Sequence, residues 1–410
     1  MTDVTTTVEP IAVAGVSTDT GVTAPAGFRA SGIAAGIKGS GALDLALVVN
    51  DGPNQDAAGV FTRNVVKAAP VLWSQQVLKE RTLRAVVLNS GGANAATGPE
   101  GFQDTHATAE KVAEVLTSGD QEVGAIEVAV CSTGLIGERL PMDALLPGVD
   151  TATSALSTAT ESALQAATAV MTTDSKPKQA SVSHPHGWSI GGFAKGAGML
   201  APNMATMLSV ITTDAALSGE ALDTALRAAT KATFERLDVD GGTSTNDTVL
   251  LLASGASGVT PSLDEFISAL TDVSLSLVRQ LQADAEGVTK LVDITVTGAE
   301  SEGDAVRVGR TVAEDNLVKT ALFGSDPNWG RIAMAVGRSD AQIDPAMLSI
   351  RINGVSLLTD GVPAQDRSTV DLSGAHVEIQ ITVGGGEHAA TIYTTDLSHG
   401  YVEENSAYSS

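Results

Sequence analysis

The stretch AKGAGMLAPNMATMLSVITTDA (residues 194–215) lies near the midpoint of a 410-residue chain, and Thr206 interrupts its apolar run. A threonine hydroxyl is a weak nucleophile unless a base lies beside it, and the α-amine of an N-terminal threonine can be that base. Thr206 would become N-terminal by attacking the carbonyl of Ala205 in a tight loop whose carbonyl oxygen is stabilised as charge develops. Spacing alone leaves an alternative, in which Thr206 simply begins the strand TMLSVITT.

A second candidate is the motif CSTGLIG at residues 131–137, which follows a short apolar run. Its strand end offers the hydroxyl of Thr133 and the amide of Gly134 in an exposed turn. Two donors that can point at one oxygen are what an oxyanion hole requires. An ordinary glycine turn after a strand is the alternative.

Strands and helices alternate through residues 1–284. Apolar runs that begin at Ala85 and Ala125 and end in glycine-rich loops predict buried strands, and DTHATAEKVAEVLTSG between them has helical spacing. Longer helices are predicted over residues 219–237 and from 263 to about 284. This alternation predicts a layered α/β core.

The pattern changes near residue 288. VDITVTGAESEGDAVRVGRTV and HVEIQITVGGGEHAATIYTT alternate apolar and polar residues around glycines, which predicts hairpins in a smaller α+β domain over residues 285–410. Just before this region, Ser262 with Glu265 three residues later predicts a capping box at the start of a helix.

Composition excludes several classes of function. The formal net charge is −24, so nucleic acid and anionic membranes are not expected as partners. The single cysteine, Cys131, excludes an internal disulfide. The N-terminus has no signal-peptide pattern and no window has the length of a membrane span, so we expect a soluble cytoplasmic protein.

Candidate metal motifs are incomplete in the sequence. The two histidines of HPH (residues 184–186) have no third ligand nearby along the chain. The acidic loop that begins at Asp238 has Val249 where a calcium loop needs glutamate. We therefore expect neither a metal nor a cofactor.

Taken together, the motifs resemble the ornithine acetyltransferase family of arginine biosynthesis, also described as bifunctional glutamate N-acetyltransferases. The resemblance runs essentially from end to end. It is carried, in family order, by GVTAPAGFRASGIAAGIK, CSTGLIGERLP, KGAGMLAPNMATML, TSTNDT, DAEGVTK, DPNWGRIAMAVGR and YVEENSAYSS.

The resemblance implies an αββα sandwich of the self-processing N-terminal-nucleophile kind. It implies that the precursor cuts itself between Ala205 and Thr206, and that chains 1–205 and 206–410 assemble as α2β2. Thr206 would take the acetyl group of N2-acetylornithine and pass it to glutamate. Whether acetyl-CoA is a second donor stays open.

Site residues also follow from the resemblance. Thr133 and Gly134 match the oxyanion hole. The matches to substrate contacts, besides Thr206 itself, are Thr172, Lys195, Glu286, Asn405 and Ser410. By charge, Lys195 suits an α-carboxylate, and Glu286 suits an ammonium group or a proton.

The chain departs from the family pattern at five positions, which leaves its level of activity open. These positions are Gly92, Ala96, Gly242, Glu404 and Ala407. Two other functions also stay open: a self-processing aminopeptidase or amidase that passes the acyl group to water, and an uncut, catalytically silent scaffold protein.

Overall fold

The structure of the protein, a computed structural model, describes residues 8–118, 122–200 and 207–407. Three predicted site residues, Ala205, Thr206 and Ser410, lie outside these ranges. The helices are α1 (Ala69–Val77), α2 (Gly98–Leu116), α3 (Met142–Ser154), α4 (Thr160–Ala169), α5 (Gly219–Ala232), α6 (Leu263–Ala283), α7 (Glu302–Ala313), α8 (Asn316–Phe323), α9 (Trp329–Gly337) and α10 (His399–Ala407).

The strands form three sheets. They are β1 (Phe28–Ile33), β2 (Leu45–Asn50), β3 (Asp56–Phe61), β4 (Ala85–Ser90), β5 (Val128–Thr133), β6 (Lys178–His184), β7 (Trp188–Lys195), β8 (Leu208–Thr213), β9 (Thr248–Ala253), β10 (Leu291–Ala299), β11 (Ser349–Ile352), β12 (Val355–Thr359), β13 (Val362–Pro363), β14 (His376–Thr382) and β15 (His388–Thr395).

Two of the sheets pack face to face with helices outside them. The first has the order β1-β2-β4-β5 and the second β3-β9-β8-β7-β6. Helices α1 to α4 cover the first sheet, while α5 and α6 cover the second. The layers are therefore α, β, β, α, which confirms the predicted fold class. Within the described ranges, no helix has both the length and the apolar character needed to cross a membrane.

The central strands of both sheets are buried along their whole length. Every residue of β2 and β4 is buried, as expected for strands covered on both faces. In the second sheet, Val210 and Leu250 belong to the core between the sheets, whereas Ile211 and Leu251 belong to the core under α5 and α6. The alternation along β8 and β9 thus divides their side chains between two cores.

The predicted long helices are confirmed, with small changes at their ends. Helix α5 stops at Ala232 and gives way to a short 3-10 turn, so it is shorter than predicted. Helix α6 begins after Ser262, whose Oγ accepts a hydrogen bond from the Glu265 N–H at 3.3 Å. The predicted N-cap is therefore present.

The third sheet, with the order β13-β12-β11-β14-β10-β15, corrects the prediction of hairpins near the C-terminus. Strands β14 and β15 are consecutive in the sequence but are not neighbours in the sheet. Strand β10 lies between them, parallel to β14 and antiparallel to β15. Alternation of apolar and polar residues correctly predicted strands, but it does not determine which strands pair.

The segment GDAVRVGRTV is likewise helical rather than extended. It forms most of α7, which begins after Ser301, whose Oγ accepts from the Asp304 N–H. The buried residues Ala305, Val308 and Val312 are spaced for one helix face, which packs in the core of the third sheet. The predicted division at residue 285 stays a prediction; β10 begins at Leu291.

Candidate active site

One cleft brings together residues from distant parts of the chain at the edge of the two central sheets. Five of the predicted site residues line it: Thr133, Gly134, Thr172, Glu286 and Asn405. Gly198 and Met199 line it too, and only Leu200 separates them from residues 201–206. The residues just N-terminal to the predicted cut therefore lie in this cleft.

The predicted oxyanion donors lie at the end of strand β5: Thr133 is its last residue and Gly134 follows it. Gly134 has a φ of +128°, and a Cβ there would lie 2.6 Å from the Gly92 nitrogen, so this position requires glycine. The Gly92 N–H donates to the Thr133 carbonyl at 3.0 Å and holds the turn. Among the described residues, the Gly134 N–H donates to no acceptor, so it is available to a ligand in the cleft.

Lys195, the last residue of β7, lies buried behind the threonines of the cleft. Its Nζ donates to Thr133 Oγ1 at 3.2 Å and to Thr172 Oγ1 at 2.9 Å. A hydroxyl that accepts from an ammonium keeps its own proton for another acceptor. Lys195 therefore directs the Thr133 hydroxyl to act as a donor, which is the orientation that an oxyanion hole needs.

This arrangement adds to the role predicted for Lys195. Contact with a substrate carboxylate stays a prediction, while the structure gives the lysine two threonine hydroxyls as partners. Burial lowers the pKa of Lys195, and the negative charge of Asp174 opposes that shift. The neighbouring carboxylate thus favours the ammonium form, which burial disfavours.

Asp174 is the centre of the buried polar network behind the cleft. It accepts from Lys178 Nζ at 2.6 Å, from the Gly196 N–H at 2.6 Å and from the Thr172 N–H at 3.0 Å. Burial alone would raise the pKa of Asp174, but the charges of Lys178 and Lys195 outweigh it and the net shift is downward. The carboxylate stays ionised and fixes the backbone at Thr172 and directly after Lys195.

Glu286 and the C-terminal helix form the opposite wall. Glu286 Oε2 accepts from Asn405 Nδ2 at 2.8 Å. Helix α10 lies directly on Gly287, where a Cβ would come within 2.0 Å of the Tyr401 nitrogen. A Cβ at Gly198 would lie 2.3 Å from the Glu286 carboxylate, so this glycine of the central motif allows the close approach. The predicted pair Glu286 and Asn405 is therefore in contact.

Two residues of TSTNDT have roles that the sequence did not assign. Asn246 Nδ2 donates to the carbonyls of Ala93 at 2.7 Å and Ser132 at 2.8 Å, which joins two loops of the cleft. Asp247 is fully buried, and its Oδ1 accepts from the Met207 N–H at 3.0 Å. Asp247 therefore holds the first described residue after Thr206. The only sequence signal was the motif itself.

Burial raises the pKa of Asp247 well above its usual range, so the neutral carboxyl is favoured. We expect Asp247→Asn to keep acetyl transfer within about tenfold, because the amide oxygen can still accept from Met207. Asp247→Ala should lose about a hundredfold and destabilise the protein by ~1–3 kcal/mol, since it leaves a buried N–H unpaired. Rates and denaturant unfolding measure both effects.

The pH dependence of stability provides the control. A carboxyl whose folded pKa is raised costs stability once the unfolded form ionises, and this cost increases with pH. Asp247→Asn should therefore unfold at higher denaturant than wild type at pH 7, with the difference vanishing towards pH 4. An asparagine variant as inactive as the alanine variant would mean that the ionised carboxylate is needed.

The chain is similar to proteins of one known family. The sequence profile of the ArgJ family matches residues 29–410. The arginine biosynthesis bifunctional protein ArgJ of Mycolicibacterium paratuberculosis is 61% identical over 402 residues, covering 98% of this chain and 100% of that protein. The protein of the same name from Mycobacterium tuberculosis H37Rv is 61% identical over 390 residues, which cover 95% of this chain and 96% of that protein.

A solved structure gives a further match. It is the ornithine acetyltransferase of Mycobacterium tuberculosis complexed with ornithine, which is 63% identical, with a TM-score of 0.45. The match covers 47% of this chain and 98% of that one. On the family profile and the identity to its relatives, the chain belongs to the ArgJ family.

Proposed function

We propose that this protein is an acetyltransferase of arginine biosynthesis that moves the acetyl group of N2-acetylornithine to glutamate. The observation that carries the proposal is the contact of Lys195 with the hydroxyls of Thr133 and Thr172 at a cleft that also holds Glu286. Such a cleft offers oxyanion donors on one side and a carboxylate for an amino-acid ammonium on the other. The names of the close relatives support the pathway.

We further propose that Thr206 is the nucleophile and that the precursor cuts itself between Ala205 and Thr206. Met199 lies in the cleft on one side of this segment, and Met207 is held by Asp247 on the other. Cleavage gives chains 1–205 and 206–410, which we expect to stay together as α2β2. The cytoplasm is the expected location, and residues 1–284 and 285–410 the expected domains.

The proposed reaction has two acyl transfers. The α-amine of Thr206 takes the hydroxyl proton as Oγ1 attacks the acetyl carbonyl, and Thr133 and Gly134 donate to the oxyanion. Collapse of this intermediate breaks the amide bond, and the α-nitrogen of ornithine takes the proton and leaves. The glutamate amine then attacks the acetyl-threonine ester, which forms N-acetylglutamate and restores the hydroxyl.

The substrate contacts are proposed from the family resemblance, and charge supports two of them. Glu286 is suited to the side-chain ammonium of ornithine, with Asn405 fixing the carboxylate through its amide. Lys195 is the proposed partner of an α-carboxylate, and Ser410 a further substrate contact. Acetyl-CoA is proposed as a second donor because the relatives are called bifunctional.

The decisive assay offers the purified protein three mixtures: N2-acetylornithine with glutamate, acetyl-CoA with glutamate, and N2-acetylornithine alone. We expect ornithine and N-acetylglutamate in equal amounts from the first mixture, measured by mass spectrometry. N-acetylglutamate from the second would add the acetyl-CoA activity, and its absence would limit the enzyme to the transferase. Glu286→Gln should raise KM for N2-acetylornithine while leaving the cut intact.

Water as the acceptor is the alternative, because a self-processing amidase would use the same nucleophile. It predicts acetate and ornithine from N2-acetylornithine alone, at a rate that added glutamate does not change. Faster hydrolysis than transfer would contradict the proposed acetyltransferase.

A further inference from the structure

A cluster of three potential ligands lies at the turn between β6 and β7. Glu265 Oε1 is 2.6 Å from His186 Nδ1 and 3.5 Å from His184 Nε2. The three candidate ligand atoms all lie within 4.8 Å of one another. Two imidazole nitrogens and a carboxylate oxygen thus converge on one point.

The third ligand could not be found by searching near HPH in the sequence. Glu265 belongs to the first turn of α6, and only the packing of α6 on β6 and β7 brings it to the histidines. The Glu265 N–H still bonds Ser262 Oγ, but its carboxylate turns to the imidazoles. Among the described residues, the Glu265 carboxylate accepts no hydrogen bond from the Ser262 backbone N–H. Only one of the two bonds of the predicted capping box is therefore present, and the carboxylate contacts the histidines instead.

His184 is held in place before any ligand binds. Its ring stacks on Trp188 with centroids 4.4 Å apart and planes 15° apart, and Trp188 is itself buried against Phe266. Its Nδ1 accepts from the His186 N–H at 3.3 Å, which leaves Nε2 facing Glu265. A ligand with a fixed ring loses less conformational entropy on binding.

We propose that His184, His186 and Glu265 bind a divalent transition metal of the zinc class, with water completing the coordination. Imidazole nitrogen suits zinc, cobalt, nickel and copper, whereas magnesium and calcium prefer oxygen ligands alone. Ligand bonds of about 2.0–2.1 Å require the contact between His186 and Glu265 to open. The His186 side chain is 70% exposed and can move.

Coordination also requires a change of tautomer at His184. The proton on Nε2 must move to Nδ1, and the 3.3 Å hydrogen bond from the His186 N–H is then lost. That bond is long, so metal coordination replaces a weak contact. No proton is released by this exchange when the ring is neutral.

The site is separate from the cleft. Strand β7 has eight residues, with Trp188 at one end and Lys195 at the other, so the metal would lie about 23 Å from the active-site end of the strand. The metal would join the β6–β7 turn to the N-terminus of α6. We therefore expect it to stabilise the fold and to leave the acetyl-transfer rate unchanged.

Calorimetric titration of the untagged, chelator-treated protein with zinc tests the proposal. We expect one equivalent to bind and the melting temperature to rise. His186→Ala and Glu265→Gln should each weaken binding at least tenfold. His106→Ala is the matched control, because His106 forms an exposed pair with Glu110 on α2 without a second histidine; it should leave zinc binding unchanged.

Fluorescence provides an independent readout. Nickel or copper bound at Nε2 of His184 lies beside the Trp188 ring and should quench its emission, and Trp188→Phe should remove the quenching but keep the binding. Saturable binding that survives the double replacement of His186 and Glu265 would overturn the proposal. So would the absence of any saturable zinc binding by the wild-type chain.

Discussion

Replacing Thr206 with alanine is expected to leave a single uncut chain of 41.5 kDa that has no acetyl transfer. The wild type should appear in intact-mass measurements as two fragments, each of about half that mass. The reason is that one hydroxyl does both reactions: it attacks the carbonyl of Ala205, and it then carries the acetyl group. Brief exposure to N2-acetylornithine should add one acetyl group to the fragment that begins at Thr206.

Two variants separate the hydroxyl from other effects of substitution. Thr206→Ser keeps a hydroxyl and should still cut, although more slowly if the methyl group helps to position it. Thr173→Ala removes another hydroxyl of the same cleft and should leave both cutting and acetylation intact. A wild-type chain that stays uncut and unacetylated would remove Thr206 as the nucleophile and favour the scaffold alternative.

Part of the predicted site has signals that are local in the sequence. Thr133 and Gly134 follow a buried apolar run and form its glycine turn, and the positive φ of Gly134 agrees with that interpretation. The partners of Lys195 were not predictable from spacing, because Thr133 and Thr172 come from a different strand and from the loop after α4. Only the family resemblance had grouped these residues.

The two errors in the fold have different physical origins. An alternating pattern reports that one face of a segment is buried, and it says nothing about which strand forms the hydrogen bonds. For this reason β14 and β15 were predicted correctly as strands and wrongly as neighbours. In α7 the buried residues Ala305, Val308 and Val312 recur at helical spacing, and Ser301 Oγ caps the first turn by accepting from the Asp304 N–H.

The second large effect is expected at Lys195. Lys195→Met should lower kcat for acetyl transfer by about 10²–10³-fold, the loss typical of a missing oxyanion donor. Without the ammonium, nothing keeps the proton of the Thr133 hydroxyl directed towards the oxyanion. The cut at Thr206 should slow as well, because it passes through an oxyanion intermediate. Steady-state kinetics and intact mass measure the two rates.

A matched lysine shows whether the loss at Lys195 reflects chemistry or folding. Lys178 is equally buried, but its Nζ binds the carboxylates of Asp174 at 2.6 Å and Asp284 at 2.5 Å. Lys178→Met leaves both carboxylates buried without this cation and should cost ~3–5 kcal/mol of stability. Lys195→Met leaves Asp174 paired with Lys178, so its stability should change far less.

A double-mutant cycle completes the argument for Lys195. If the lysine acts through the Thr133 hydroxyl, Thr133→Val and Lys195→Met remove the same donor, and the double variant should be no slower than the slower single variant. Additive losses would mean that Lys195 acts on the substrate directly, as a partner of its carboxylate. In that case KM for both amino-acid substrates should rise in Lys195→Met, whereas loss of an oriented hydroxyl lowers kcat and leaves KM nearly unchanged.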